Sequence, residues 1–170
     1  MAGLITQLAD HEVFLFGANR GGFHGAGAAG YAMRGTAANT WRTDEAFLRA
    51  MRAPEGHIDR IGRWAVYGVG RGWQRGHYGM SYAIQTIERA GWKRSTPLAD
   101  IEDQLVELWG FARTHLGWTF LMTPVGAGLS GYTPAEMAAV LGRAAKRGGG
   151  LPGNVIAPDD LYDGVHWTQT

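Results

Sequence analysis

The stretch Phe14-Leu-Phe-Gly17-Ala-Asn19-Arg-Gly-Gly22-Phe-His24-Gly25-Ala-Gly27-Ala-Ala29 concentrates residue types that can hold an anion. An apolar strand ends at Asn19 and runs into glycines, which then open a helix near Ala26. Glycine lets the main chain approach a phosphate closely and turn with positive φ, and a helix starting there aims its first amides at the same spot. One such loop can also be purely geometric, but a second unit follows the same plan. Thr119–Val125 reads as a buried strand and Gly126-Ala-Gly128-Leu129-Ser130-Gly131-Tyr132 as a glycine loop. Thr133-Pro-Ala-Glu136 then reads as a capping box with proline at the first helical position. Together they predict a backbone-lined pocket for a nucleotide or phosphorylated sugar.

Asn19 followed by Gly22, Gly25 and Gly27, with Val125-Gly-Ala-Gly-Leu-Ser-Gly-Tyr132 ahead of an amphipathic helix and Ser81-Tyr-Ala-Ile-Gln-Thr86 between them, resembles the macrodomain superfamily of ADP-ribose-binding modules. The nearest branch is that of the DNA-ADP-ribosyl glycohydrolase antitoxins, and small macro-like proteins of phages and bacteria are also similar. The resemblance covers about residues 12–35 and 80–158 and has no counterpart for 36–79. It implies a three-layer α/β/α fold with a mixed central sheet, an insertion at 36–79, and ADP-ribose or a related, even cyclic, nucleotide as ligand, with no cofactor. Asn19 would hold the distal ribose, and Gly22, Gly25 and Gly27 would line ribose and phosphates. Gly126, Gly128, Leu129, Ser130 and Gly131 would wrap the diphosphate, with Gly17 and Tyr132 completing the ligand-binding set. Departures from the family pattern bear on catalysis and base preference. Ala26 stands where the glycohydrolase branch has lysine, Ser130 where it has an acid, and His24 where the other hydrolase branch has aspartate. A Gly-Asp-Ile-Thr-like segment that would read adenine is missing.

His24 is the candidate substitute, as general acid or base or as a cation toward a diphosphate; the plainer reading is a histidine bonded to a backbone carbonyl. Asn19 and His24 would be the catalytic pair of a hydrolase, or Asn19 would simply close a turn. Ser130 would donate to phosphate or cap its own loop. Nothing nearby completes a nucleophile, base and acid. The six histidines show no i, i+4 pairing or carboxylate companion at metal-ligand spacing, Gly68-Val-Gly-Arg-Gly72 is not a P-loop, and Gly128-Leu-Ser-Gly131 is not a nucleophile elbow.

The 170 residues suit one domain over 1–170, and a net charge of +1 excludes a strong global pull toward nucleic acid or membrane. No cysteine and no signal-like N-terminus fit a cytoplasmic chain. Expected elements are a strand at 12–16, a helix at 25–33, a helix at 43–51 capped by Thr43, strands at 63–69 and 81–87 flanking a glycine-rich flap at 70–79, a helix opened by Thr96-Pro97, a helix after Thr133 and a last strand at 154–157. On the Pro97 helix, Asp100, Glu102, Asp103 and Glu107 are expected to face solvent. Glycine supplies 27 residues and tryptophan seven. Arg34 to Arg75 holds eight arginines against four acids, with Trp41, Trp64, Tyr67 and Trp73. That segment would be a strand core with solvated arginines, a nucleic-acid face or a homo-oligomer contact. The tail, with Leu161, Tyr162 and Trp167, is expected to dock on the domain or a neighbour. Three functional classes follow: nucleotide binding first, hydrolysis of ADP-ribosyl or phosphoribosyl linkages second, and a structural or assembly role third.

Overall fold

A computed structural model describes residues 5–126 and 130–157. Its sheet contains β1 (Glu12–Asn19), β2 (Gly72–Arg75), β3 (Met80–Ile87), β4 (Thr119–Met122) and β5 (Val155–Ile156), in the order β2-β3-β1-β4-β5. Only β2 runs antiparallel to its neighbour. The run Val13–Phe16 is apolar without alternation because β1 is central and covered on both faces. Val13 and Leu15 face α3 (Leu98–Arg113) and α4 (Pro134–Arg147), together with Ile84, Leu105 and Val140. Phe14 and Phe16 face α1 (Gly27–Arg34), packing with Ala32 and Trp64. The result is a three-layer α/β arrangement, with α1 and α2 (Glu45–Arg52) on one side and the α3/α4 pair on the other.

The helix after Thr133 starts as expected, with Thr133 Oγ1 accepting from the Glu136 amide and Glu136 reaching back to the Thr133 amide. Helix α2 is capped by Asp44, not Thr43: its carboxylate accepts the Phe47 amide at 3.0 Å. The segment 63–69 is not a strand and makes only an isolated bridge between Ile61 and Val66. The reason is that its backbone is already engaged: the amides of Arg63 and Trp64 go to the carbonyls of Met33 and Ala32 at the end of α1. The sheet edge is instead β2, inside the stretch expected to be a flap, joined to β3 through a turn in which Gly76 donates to Gly79. Glu102 is also reassigned. It lies between α3 and α4, accepting Arg143 at 2.7 Å and Arg147 at 2.6 Å, and its carboxyl is held below the usual range chiefly by the hydrogen bond from Arg143.

The 36–79 segment builds a small core of its own. Trp41, Phe47 and Tyr67 surround Phe23 from the first glycine loop, with ring centroids 5.0 to 6.4 Å from it, and Trp64 is fully buried against Phe14. Several of its arginines lie on aromatic faces: Arg63 is 3.8 Å from the Trp64 centroid, Arg42 4.5 Å from Trp41 and Arg60 5.4 Å from Tyr67. Much of the Trp/Arg surplus is thus a brace for the loop that follows β1.

That brace depends on close backbone approach. Gly22 has φ 67°, and a Cβ there would lie 2.3 Å from the Val69 nitrogen. Gly22→Ala is expected to destabilise the fold by more than about 2 kcal/mol, against about 1 kcal/mol for a control substitution that incurs only the left-handed backbone. Gly91→Ala is that control, since φ is 83° there and nothing lies near the added methyl. Urea unfolding of both variants checks the difference; equal losses would show that the contact with Val69 is not tight.

Candidate functional site

Chain segments leaving β1 and β4 depart to opposite faces of the sheet, one into α1 and the other into α4, which opens a crevice beyond the carboxyl ends of the strands. A hollow of about 300 Å³ occupies it, lined by Gly17, Ala26, Gly27, Ala28, Thr86, Thr123–Gly126 and Ser130. Helix α1 has no side-chain cap at Ala26, and the Gly27 amide is taken by the Ala37 carbonyl at 2.9 Å. The Ala28 and Ala29 amides are left as first-turn donors with no intrahelical acceptor, at the positive end of the helix dipole.

The opposite wall comes from the second loop. Gly126 has φ 79°, a left-handed conformation that favours glycine, and a Cβ there would fall 2.4 Å from the Met137 sulfur, so this residue lies close against α4. A Cβ on Gly17 would be 3.6 Å from the Gly126 nitrogen and 3.0 Å from Thr86 Oγ1, so the end of β1 and the second loop are in near backbone contact. Thr86 enters through a bulge. Ala18 pairs with Gln85 and Asn19 with Ile87, so Thr86 is the extra residue, and Gln104 satisfies the Gln85 main chain at 2.7 and 2.9 Å.

A second hollow, of about 710 Å³, is lined by Asn19, Arg20, Gly21, Phe23, Glu88, Arg89, Ala90 and Trp92. Gly17 and Asn19 are two residues apart on β1, and Thr86 near the end of β3 is two residues before Glu88, so the two hollows neighbour each other at the ends of these strands. Trp92 is 54% exposed, with the Arg89 guanidinium 4.9 Å from its centroid, while Arg20 pairs with Glu88 at 3.3 Å. A third hollow, of about 600 Å³, lies elsewhere, between α1, α2 and Tyr78.

Of the expected site residues, Gly17, Gly27, Gly126 and Ser130 line the smaller hollow and Asn19 the larger one; Gly128 and Leu129 lie outside the described residues, as does the tail from 158. Both ends of the Asn19 amide close on Phe23, with Nδ2 donating to its carbonyl at 2.8 Å and Oδ1 accepting its amide at 3.0 Å. Ser130 caps its own loop, its hydroxyl donating to the Gly126 carbonyl. The other expected ligand contacts face protein. Gly22 meets Val69, Gly25 meets Phe23 and Trp41, and Gly131 meets Lys93. The Tyr132 ring is buried, and its hydroxyl donates to the Thr96 carbonyl. Sequence reasoning overlooked Thr86, Thr123, Arg89 and Trp92, and only the exposed tryptophan in a glycine-broken connection could have signalled the last.

His24 lines neither the smaller nor the larger hollow. It is fully buried, edge-on to Phe16 at 5.3 Å, and Nε2 donates to the Val66 carbonyl at 3.1 Å. Burial lowers its pKa to about 4, partly offset by backbone hydrogen bonding at Val66 and Val69, so the ring is neutral near pH 7. No titratable side chain lines the smaller hollow among the described residues, and those residues contain no cluster of metal-ligating side chains. No helix among them is long and apolar enough to cross a membrane. No family model, curated protein or solved structure matches the chain.

The neutral His24 carries a pH dependence. The unfolded chain takes up the proton first, near pH 6.5, so the stabilisation is complete above that value and is lost as pH falls toward 4, by up to about 3 kcal/mol. Urea unfolding between pH 7.5 and 4 should show a steeper acid loss for the wild type than for His24→Gln. Parallel curves would contradict a buried neutral imidazole.

Proposed function

We propose that this protein binds ADP-ribose or a related nucleotide, cyclic forms included, with phosphates in the smaller hollow and the nucleoside in the larger one. The observation that carries this reading is the convergence of the uncapped start of α1 and the Gly126 loop on one crevice where the strands diverge. Backbone amides and the helix dipole favour an anion there without any charged side chain, and Thr86 brings a hydroxyl to the same wall, whereas the hydroxyls of Thr123 and Ser130 are donated to the Leu15 and Gly126 carbonyls. Trp92 and Arg89 offer a flat, cationic surface for a base. The smaller hollow alone is too tight for a dinucleotide-sized ligand, and the larger one supplies the room.

Binding is favoured over turnover by what the crevice holds. His24 is buried away from it, and Glu88, the carboxylate at the rim, is engaged by Arg20 and Gln85. The resemblance to macrodomains supports the ligand class, and the altered residues at Ala26, His24 and Ser130 suit a module that retains its ligand.

Calorimetry with ADP-ribose on the wild type and on Ala28→Asp tests the proposal. An aspartate in the first turn suits the helix dipole, so the melting temperature should not fall, whereas a carboxylate facing the bound phosphates should weaken affinity at least tenfold, a rough figure for like charges in contact. Unaltered affinity in that variant would remove phosphate from this hollow.

A further inference from the structure

The connection from Glu88 to Thr96 carries Arg89 and Trp92 beside the larger hollow, while Gly126 and Ser130 border the smaller one. Arg94 joins the two. Among the described residues it alone combines a side chain with positive φ, at 57°, a conformation that persists only where the surroundings impose it. Its amide donates to the Ser130 carbonyl at 2.7 Å. Its guanidinium grips Glu136 in two bonds, Nη1 to Oε1 at 2.9 Å and Nη2 to Oε2 at 2.7 Å, donates to the Gly131 carbonyl at 3.3 Å, and lies 4.8 Å from the centroid of the Tyr132 ring. The Tyr132 hydroxyl returns to the Thr96 carbonyl, closing the circuit. Because Glu136 is also the capping residue in the first turn of α4, the connection is referenced to the same helix that holds the Gly126 loop.

Arg94 lines neither hollow. Removing its side chain takes no lining residue from either hollow, and it frees the connection bearing Arg89 and Trp92 from α4. A ligand confined to one hollow does not sense the separation of the two, whereas a ligand filling both does. We propose that Arg94 is a specificity-determining positioning residue, fixing the spacing of the hollows so that the cleft selects a nucleoside joined through a diphosphate to a second sugar over mononucleotides and sugar phosphates. This inference rests on the nucleotide reading of the cleft. Arginine is required because lysine cannot make the planar, two-bond grip.

The test is calorimetry with ADP-ribose, AMP and ribose 5-phosphate on the wild type, Arg94→Lys and Glu136→Gln, the last chosen because glutamine still serves the capping box. Affinity for ADP-ribose should fall about tenfold in both variants while that for either short ligand changes less than about twofold, as expected for a lost coupling between subsites. An equal loss for all three ligands would indicate general loosening and overturn the inference, as would no change for ADP-ribose. Absence of binding of all three to folded wild-type protein would remove the nucleotide reading itself, and this inference with it.

Discussion

Everything at the carboxyl end of the sheet depends on main chain meeting main chain where β1 stops. Gly22 touches the Val69 backbone, Gly70 would place a Cβ 2.3 Å from the Asn19 carbonyl oxygen, and Gly17 lies against the Gly126 loop. Side chains of ordinary size at these points would drive three segments apart, and the crevice between β1 and β4 would lose its walls. Part of the glycine-rich composition is therefore spent on bringing the chain close to itself. Ordering so many glycines costs backbone entropy, and the aromatic brace of Phe23, Trp41, Phe47 and Tyr67 offsets part of it by fixing the loop from outside.

The chemistry of the cleft follows from that geometry. Its inner part is a neutral surface of amides and hydroxyls at a helix N-terminus, and its rim carries the charged and aromatic groups. Arg20, Glu88 and Arg89 stand at the outer hollow, where solvent screens them, while the start of α1, without a side-chain cap, borders the inner one. A ligand with a compact, strongly anionic middle and a flat end matches this division. The buried, neutral His24 belongs to the scaffold: it connects the first loop to the Val66 carbonyl and adds no charge.

Elements whose signal is local were legible in the sequence. The capping box at Thr133, the unalternating strand at Val13 and the two glycine loops needed no tertiary information, and the resulting α/β class is what the structure has. Residues 63–69 misled because Trp64 and Tyr67 are good strand formers, yet the end of α1 had already claimed the backbone of Arg63 and Trp64. Glu102 looked like surface because nothing local tells that α4 will bring Arg143 and Arg147 to it. The site was half visible for the same reason. Glycines announced themselves, but which of them face a cavity and which face Val69 or Phe23 depends on the segment 66–70 folding over the loop, and Thr86 is turned into the crevice only by a register shift between β1 and β3.

The most direct measurement is a titration of ¹⁵N-labelled protein with ADP-ribose, followed by amide and indole chemical shifts. A nucleotide seated across the rim should move the Gly27, Ala28, Thr86 and Gly126 amides and the Trp92 indole most, in one saturable process. Shifts gathered instead around Met33, Phe47 and Tyr78 in the third hollow, or no shifts from a folded protein, would contradict it.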